Sequence, residues 1–316
     1  MAGGTYRLYG LSVRSPLVMP CPPGRGHADV TLVARRVPGP FPHSGRNAPA
    51  WFASQVLADG STHLHWRGLA DVVVSPDGTH IAWQPLSPGT QEIFRGHLLS
   101  QVLSFSLLAR GMEPLHASAV AVDGKVIAFL GNCGLGKSSL TAAFLAAGYP
   151  LVTDDLLVLR RRRGRYVVEA GLPRIKLFPH VARRLLGARA RGPRMAAGTA
   201  KLVLPVPPGR TVRGPLALHT LYVLERAPSV CITPVAPAAA FLEILRGAFN
   251  TVHLDRGRLA SQFVFARQLA ATARVRRLGY PRRLAAINQV RDAILKDSDE
   301  APVDVTLVTP ARRSVR

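Results

Sequence analysis

A glycine-rich stretch near the middle of the chain has residue types and spacing that can bind phosphate: Gly131-Asn-Cys-Gly-Leu-Gly-Lys-Ser138. Glycines allow the backbone to curl so that successive N–H groups face one anion. Lys137 adds a positive charge for the β and γ phosphates, and the hydroxyl of Ser138 is a ligand type that suits Mg²⁺. We therefore expect ATP and Mg²⁺ here. The expected nucleotide contacts are Gly131, Asn132, Cys133, Gly134, Leu135, Gly136, Lys137, Ser138 and Ser139.

Two adjacent carboxylates, Asp154 and Asp155, follow a short apolar run at 151–153. Neighbouring side chains on an extended stretch point in different directions, so one carboxylate can serve the metal while the other faces an attacking hydroxyl. An acidic turn after a strand is the ordinary alternative. Beside a phosphate-binding loop the pair predicts phosphoryl transfer, a reaction that depends on positioning and charge neutralisation.

The segments around these residues predict the order strand, loop, helix, strand. An apolar β-type run at 126–130 precedes the loop, and a helix-forming stretch at 138–147 follows it. A strand-like run at 118–122 is joined to the next by an Asp123-Gly124 turn, which predicts a hairpin. This order is typical of an α/β domain, in which side chains at the carboxyl ends of strands form the site.

The chain divides by pattern into a β-rich part, a catalytic part and a tail. Residues 1–90 alternate short β-type runs with turns, and we expect a small β-rich domain with its tryptophans in the core. A helix over 93–107 is expected to lead into a catalytic domain at 91–296. Residues 297–316 are expected to be a disordered tail. The tryptophans are Trp51, Trp66 and Trp83.

The second half of the expected catalytic domain is less regular. Its arginine-rich stretch at 160–165 predicts a hairpin tip, followed by a mobile loop that reaches about Gly198. A further strand is expected at 219–224. Three helices are predicted at 238–249, 261–272 and 282–296.

Composition favours a globular, basic protein. The formal net charge is +23, from 41 Lys and Arg against 18 Asp and Glu. A basic surface attracts anionic partners such as nucleotides, acidic peptides or nucleic acid, and an arginine bias in the genome is the alternative explanation. Three distant cysteines, no zinc-ligand spacing, no secretory start and no apolar run of membrane length predict a cytoplasmic protein without a membrane partner.

Three stretches together resemble the HPr serine kinase/phosphorylase catalytic domain and its HPr-kinase-like relatives: Leu115–Val120, Gly131–Ser138 and Gly148–Asp155. A histidine before the loop strand and paired aspartates after one short helix are more specific than the loop alone. The stretches 6–13 and 172–177 also look similar to that family. The resemblance implies an α/β P-loop kinase domain of the HPr kinase/phosphoenolpyruvate carboxykinase-like fold.

The same resemblance implies transfer of the γ-phosphate of ATP to a serine of a protein or peptide. Some relatives act on natural-product precursors, lasso peptides among them. Asp154 matches the family's carboxylate that takes the serine proton, and Asp155 matches the metal-associated one. His116 matches the histidine beside the catalytic carboxylate, and Lys137 completes the expected catalytic set. Because the HPr enzymes are hexamers, the resemblance also implies self-association.

The chain departs from that family at several positions. Ser139 stands where the HPr enzymes usually carry Glu, and Asn132-Cys133 stand where they tend to have Asp-Ser. Their Glu-x-Arg-Gly signature has only a partial counterpart, at Glu169. These differences weaken the case for the HPr carrier as acceptor and for reverse phosphorolysis. A second cation for the transferred group has two candidates, Arg174 and Lys201.

Other functions stay open at this stage. A nucleotide-gated binding module would bind ATP without using it and would dock an acidic protein on its basic face. A nucleic-acid-associated ATPase would use the arginine-rich stretch at 160–194 and show a steep salt dependence, although the motifs favour a peptide acceptor over nucleic acid. A small-molecule kinase is also compatible with the same motifs.

Overall fold

The computed structural model describes residues 3–37, 51–86, 93–94, 99–196, 198–250 and 256–299. Within these ranges the chain is a mixed α/β protein with several sheets. None of the described helices is long and apolar enough to cross a membrane. The strands are β1 (Gly4–Leu8), β2 (Leu11–Ser15), β3 (Val30–Ala34), β4 (Phe52–Val56), β5 (Thr62–Trp66), β6 (Ala70–Val74), β7 (His80–Pro85), β8 (Ala117–Val122), β9 (Lys125–Leu130), β10 (Leu151–Thr153), β11 (Leu159–Arg162), β12 (Arg165–Val168), β13 (Arg174–Leu177), β14 (Leu202–Pro205), β15 (Leu216–Arg226), β16 (Cys231–Pro234) and β17 (Arg274–Tyr280). The helices are α1 (Leu99–Ala109), α2 (Lys137–Ala146), α3 (Pro179–Leu186), α4 (Pro237–Arg246), α5 (Arg256–Thr272) and α6 (Ile287–Asp299).

The strands before residue 86 form one sheet in the order β1-β2-β3-β7-β6-β5-β4. Strand β3 is parallel to both of its neighbours, and the other pairs are antiparallel. Trp66 and Trp83 are buried as predicted, but Trp51 is 56% exposed and its predicted core position is wrong. Trp51 lies in the turn before β4, outside the alternation that directs strand side chains inward.

A tight turn divides the stretch at 8–13, which is one of the short β-type runs expected within residues 1–90, into two strands. Tyr9 and Gly10 have φ angles of 53° and 75°, so the chain reverses there and β1 pairs with β2. Tyr9 is fully buried, and its N–H donates a hydrogen bond of 2.8 Å to the carbonyl of Ala170. The turn therefore joins the first sheet to the segment that leads into β13.

Helix α1 packs on the first sheet. Its Val102 and Leu107 belong to the same buried cluster as the two buried tryptophans. The predicted helix is confirmed over its described part, and residues 95–98 lie outside the described residues. The domain boundary expected at residue 90 stays a prediction.

A second sheet carries the glycine-rich loop. It has the order β10-β8-β9-β15-β12-β11, with β17 paired to both β15 and β16. The predicted hairpin is confirmed, because β8 and β9 pair about Asp123 and Gly124, which have φ angles of 47° and 74°. Strands β9, β15 and β17 are parallel, and β10 runs the same way because β8 is antiparallel to both β9 and β10. The carboxyl ends of β9, β10, β15 and β17 therefore meet at one edge.

The stretch after the arginine-rich tip is structured where the sequence predicts a mobile loop. Strand β13 pairs with β14, and α3 follows it. Ile175, Leu177 and Val181 are buried in one cluster. The prediction is wrong between 174 and 186 because the apolar residues come in short runs between prolines and arginines, too short to give a clear period.

The last described helix extends further than predicted. Helix α6 runs from Ile287 to Asp299, so the expected tail is wrong for its first three residues. Asp297 is 6% exposed, accepts a hydrogen bond of 2.6 Å from the Tyr222 hydroxyl and lies 3.3 Å from Nη2 of Arg274. Residues 300–316 lie outside the described residues.

Candidate functional site

The glycine-rich loop joins β9 to α2 at the carboxyl edge of the second sheet. Gly131, Gly134 and Gly136 have φ angles of 146°, 86° and 100°, in the left-handed region that favours glycine. A Cβ at Gly136 would also lie 2.8 Å from the hydroxyl oxygen of Tyr280. That hydroxyl, at the end of β17, donates a hydrogen bond of 2.5 Å to the carbonyl of Leu135. Glycines thus set the curvature of the loop, and the hydroxyl of Tyr280 holds the loop at the carbonyl of Leu135.

Lys137 is the first residue of α2 and reaches back across the loop. Its Nζ donates a hydrogen bond of 2.5 Å to the carbonyl of Gly131 and lies 3.4 Å from that of Asn132. The residue is 7% exposed, and burial lowers the pKa of its ammonium group. The N-terminus of α2 adds a partial positive charge at the same place. The loop therefore surrounds a cationic space that can hold an anion.

Asp154 is held by three hydrogen-bond donors beside the start of α2. The hydroxyls of Ser118 and Ser138 donate to its Oδ1 at 2.6 Å and 2.9 Å, and the N–H of Lys176 donates to its Oδ2 at 2.9 Å. Asp154 is 4% exposed. These hydrogen bonds fix the orientation of the Asp154 carboxylate. One of its oxygens contacts Ser138, whose hydroxyl the sequence predicts as a metal ligand.

Asp155 turns away from Asp154 because its backbone has a φ angle of 88°. Its Oδ2 accepts a hydrogen bond of 2.5 Å from Nζ of Lys176, and its Oδ1 lies 3.5 Å from Nδ1 of His116. Burial alone would raise the pKa of Asp155, but the charges of Lys176, His116 and Arg174 together outweigh burial and hold that pKa well below its usual range. The carboxylate is therefore ionised throughout the neutral range.

His116 lies just before β8 and is positioned by its backbone. Its N–H donates a hydrogen bond of 2.7 Å to the carbonyl of Gly247, and its ring lies 5.7 Å from that of Phe249. Burial lowers the pKa of His116, and the opposing effect of Asp155 does not restore it. The imidazole therefore gives up its proton more readily than a free histidine side chain.

Two buried cations on β13 lie behind the aspartates. Lys176 and Arg174 are 6% and 7% exposed, and Nη2 of Arg174 donates a hydrogen bond of 3.1 Å to the hydroxyl of Ser100 in α1. That hydroxyl lies 3.4 Å from Oδ2 of Asp155. No motif in the sequence singles out Lys176 or Ser100. The feature that could have indicated Lys176 is its place in β13, a strand in which every residue is buried.

The predicted chemistry-bearing residues line one cleft of about 340 Å³. Its lining includes His116, Asp154, Asp155 and the loop from Cys133 to Ser139. Basic and aromatic side chains also line it: Phe178, His180, Lys201, Tyr280, Arg282 and Arg283. The remaining predicted contacts, Gly131 and Asn132, line an adjacent cleft.

Of the three further residues that the sequence suggests, Lys201 lines the cleft, whereas Arg174 and Glu169 do not. Arg174 sits behind Asp155 and does not line the cleft, whereas Lys201 does line it and lies 5.5 Å from the centre of the Phe178 ring. Glu169 is buried beside Arg160 and Arg162, at 3.7 Å and 3.2 Å, and lines a different cavity. It is not part of the candidate site.

Comparison with known proteins gives little beyond this geometry. No family model matches the chain, and no curated protein matches it. Among solved structures, the HPr(Ser) kinase/phosphatase from Coxiella burnetii matches with 15% sequence identity and a TM-score of 0.32, over 58% of this chain and 97% of that chain. A match with this TM-score carries no conclusion about the present chain, and the family resemblance stays a prediction.

Proposed function

We propose that this chain binds ATP in the cleft and transfers its terminal phosphoryl group to a hydroxyl, the serine of a protein or peptide. One observation carries the proposal: the hydroxyl of Ser138, directly after the loop lysine, donates to Asp154, a buried aspartate directly after β10. Phosphate-binding loops use this combination to hold a metal–nucleotide complex. A glycine-rich turn without a ligand would give no reason for it.

The residues present fit Mg²⁺. Within the described residues no group of three or more His, Cys, Asp and Glu side chains could hold a metal by itself. Mg²⁺ usually keeps several waters and is bound by one or two carboxylates together with substrate phosphates. Ser138 and Asp154 would hold it here, and when bound it would neutralise charge on the phosphates.

The loop supports binding of the triphosphate by three means. Its backbone N–H groups and the N-terminus of α2 provide donors and partial positive charge. The ammonium of Lys137 is directed across the loop and is little solvated, so a phosphate oxygen would be a better partner than the carbonyls it now contacts. Arg282 reaches over the loop, with Nη2 3.9 Å from where a Cβ of Gly134 would be. Together with Lys201 it is available to the transferred group.

The geometry supports roles for the two aspartates that are the reverse of those implied by the family resemblance. Asp154 is tied to Ser138 and is almost fully buried, which suits the metal side of the site. Asp155 is more exposed, with 19% of its side chain accessible, lies beside His116 and also lines the cleft. We therefore include Asp155 in the proposal as the group that orients the acceptor hydroxyl and takes its proton, and His116 as the group that positions Asp155.

The chemical step needs little else from the protein. The acceptor oxygen forms a bond to the γ phosphorus, the bond from that phosphorus to the bridging oxygen breaks, and ADP leaves. The acceptor proton passes to Asp155. Lys176 and Arg174 keep Asp155 ionised beforehand, so that it accepts a hydrogen bond from the incoming hydroxyl.

The first test is nucleotide binding measured by calorimetry, with and without Mg²⁺, on the wild type and on Ser138→Ala. We expect the wild type to bind ATP more tightly with Mg²⁺ and the variant to lose that gain. Ser261→Ala, on the exposed face of α5, is the matched control and is expected to behave as the wild type.

Transfer of labelled γ-phosphate to serine-containing peptides is the second measurement. Labelled peptide would support a kinase. ATP bound in a Mg²⁺-dependent way without transfer to any hydroxyl compound would indicate a binding module, and no ATP binding at all would overturn the proposal.

A further inference from the structure

A second cleft, of about 410 Å³, opens on the other side of Asp155. Its lining comes from the turn before β4, from α1, from the glycine-rich loop and from the segment after α4. Aromatic, amide and basic residues among this lining are Trp51, Gln101, Asn132, Arg246, Phe249 and Asn250.

Three residues line both clefts: His116, Cys133 and Asp155. The two clefts therefore meet where the proposed base lies. A terminal phosphate held on one side and a hydroxyl brought from the other would approach each other at this junction, as displacement at phosphorus requires.

One wall of the second cleft is fixed by the backbone. The segment 247–250 is held against the chain before β8, since the N–H of Phe249 donates a hydrogen bond of 2.9 Å to the carbonyl of Pro114. From its other side, Nη2 of Arg258 donates to the carbonyl of Phe249 at 2.6 Å. At Gly247 a Cβ would lie 2.4 Å from Cδ1 of Leu130, so the wall packs directly on the loop strand. This wall is therefore held in place by contacts within the protein.

The chemistry of this cleft differs from that of the nucleotide cleft. Trp51 offers an aromatic surface that is 56% exposed. The side chain of Arg246 is 66% exposed and lies 3.3 Å from Glu243, which also pairs with Arg277 at 3.5 Å, so an acidic peptide residue could replace Glu243 as the partner of Arg246. Amide side chains provide donors and acceptors along the lining, at Gln101, Asn132 and Asn250. Among the described residues that line this cleft, Asp155 is the only carboxylate, and it lies at the junction.

We infer that the second cleft binds the acceptor, and that the acceptor is an extended peptide segment with an acidic residue near its reacting serine. This inference rests on the proposed function. Side-chain amides pair well with peptide groups, Trp51 can cover an apolar side chain, and Arg246 pairs with a carboxylate. The net charge of +23 favours an acidic partner over a basic one. The serine hydroxyl would reach Asp155, and its proton would pass there as the phosphorus–oxygen bond forms.

The test uses labelled ATP and a positional-scanning library of serine peptides with the full-length chain. We expect the wild type to prefer acidic residues at one position near the serine. Arg246→Glu should reverse that preference, with use of the acidic peptides falling about tenfold. Trp51→Ala should raise KM for the best peptide about 5- to 30-fold. Both variants should bind Mg-ATP as the wild type does. The matched control is Arg267→Glu, an exposed charge on α5 outside both clefts.

The outcomes separate this inference from the proposed function. A library that is phosphorylated with the same preference by the wild type and both variants would overturn the acceptor cleft and leave the kinase standing. ATP turnover with small hydroxyl compounds but not with any peptide would overturn the peptide class. ATP binding without transfer to any acceptor would also count against an acceptor-binding role for the second cleft. No ATP binding by the wild type would instead overturn the proposed function.

Discussion

The two clefts that meet at Asp155 are built in different ways. The proposed nucleotide cleft includes consecutive residues of one glycine-rich loop, whereas the second cleft collects much of its lining from Trp51, Gln101 and the segment 246–250. The first is therefore visible as a motif, and the second exists only once the two sheets and α4 have packed. The difference suggests that changes on one side should alter nucleotide affinity and changes on the other should alter acceptor use.

The largest effect is expected at the junction. Asp155→Asn keeps the shape of the side chain but removes the charge and the ability to take a proton. We expect the rate of phosphoryl transfer to fall about 10²- to 10⁴-fold, with the Kd for Mg-ATP nearly unchanged. Labelled transfer at saturating ATP and calorimetry measure the two quantities.

Asp154→Asn is the matched variant for this comparison. Because Asp154 accepts from Ser138, its replacement should weaken the Mg²⁺-dependent part of ATP binding. If instead Asp154→Asn retains affinity and loses transfer, while Asp155→Asn loses Mg²⁺ dependence, the roles are those implied by the family resemblance.

Lys137→Ala should produce the next largest effect. Removal of the ammonium leaves the β and γ phosphates with the loop N–H groups alone, and we expect transfer to fall about 10²- to 10³-fold with weaker ATP binding. Lys125→Ala, an exposed lysine at the start of β9, is the control and should leave both quantities unchanged. Equal transfer rates and equal ATP affinities in the two variants would contradict a phosphate-binding role for Lys137.

Lys176, on β13, affects the pH at which Asp155 at the junction loses its charge. Its charge, with those of His116 and Arg174, outweighs burial and lowers the pKa of Asp155. A lowered pKa keeps Asp155 ionised as the pH falls. Ionised Asp155 therefore contributes to the free energy of unfolding at pH values above the ordinary carboxyl pKa of about 3.9. That contribution is lost as the pH falls through the lowered pKa of Asp155.

Lys176→Met should therefore move the acid limb of the transfer rate to higher pH. We also expect a loss of about 1–3 kcal/mol in the free energy of unfolding near pH 7, less than for a fully buried pair because the side chain of Asp155 is 19% exposed. The pH profile of kcat and urea denaturation measure these effects, with Lys125→Met as the control. An unmoved acid limb would show that another charge governs Asp155.

Local sequence was sufficient for the nucleotide side. The strand before the loop, the helix after it and the hairpin about Asp123 and Gly124 follow from periodicity and turn chemistry within a few residues. The same reasoning predicts that the two aspartates lie beside the loop, because strands that run the same way end at one edge of a sheet. It does not predict which of them contacts Ser138: the resemblance implies Asp155 as the metal partner, whereas the hydroxyl of Ser138 donates to Asp154.

Local sequence was not sufficient for the residues that set charge and shape from a distance. Lys176 and Arg174 lie in a stretch with no clear period, and their importance comes from burial beside Asp155. Trp51 is of a residue type that is usually buried, but its place in a turn leaves it exposed. Tyr280 lies more than a hundred residues after the loop that it contacts. These relations depend on tertiary packing, which single-sequence patterns do not contain.

Tyr280 allows the smallest and most selective test of the comparison. Its hydroxyl donates to the carbonyl of Leu135 at 2.5 Å, and burial raises the pKa of Tyr280 to about 12, so it remains a donor throughout the neutral range. A single hydrogen bond of this kind contributes about 0.5–1.5 kcal/mol. Tyr280→Phe should therefore raise the Kd for Mg-ATP about 2- to 10-fold, by the same factor from pH 6 to pH 9.

The acceptor side should not respond to this change. At saturating ATP we expect Tyr280→Phe to keep the wild-type kcat and the wild-type peptide preference, because the second cleft does not include Tyr280. Tyr149→Phe, just beyond the other end of α2, is the control for loss of a tyrosine hydroxyl. A changed peptide preference in Tyr280→Phe would mean that the loop transmits its position to the acceptor wall through Leu130 and Gly247, so that the two clefts act as one unit.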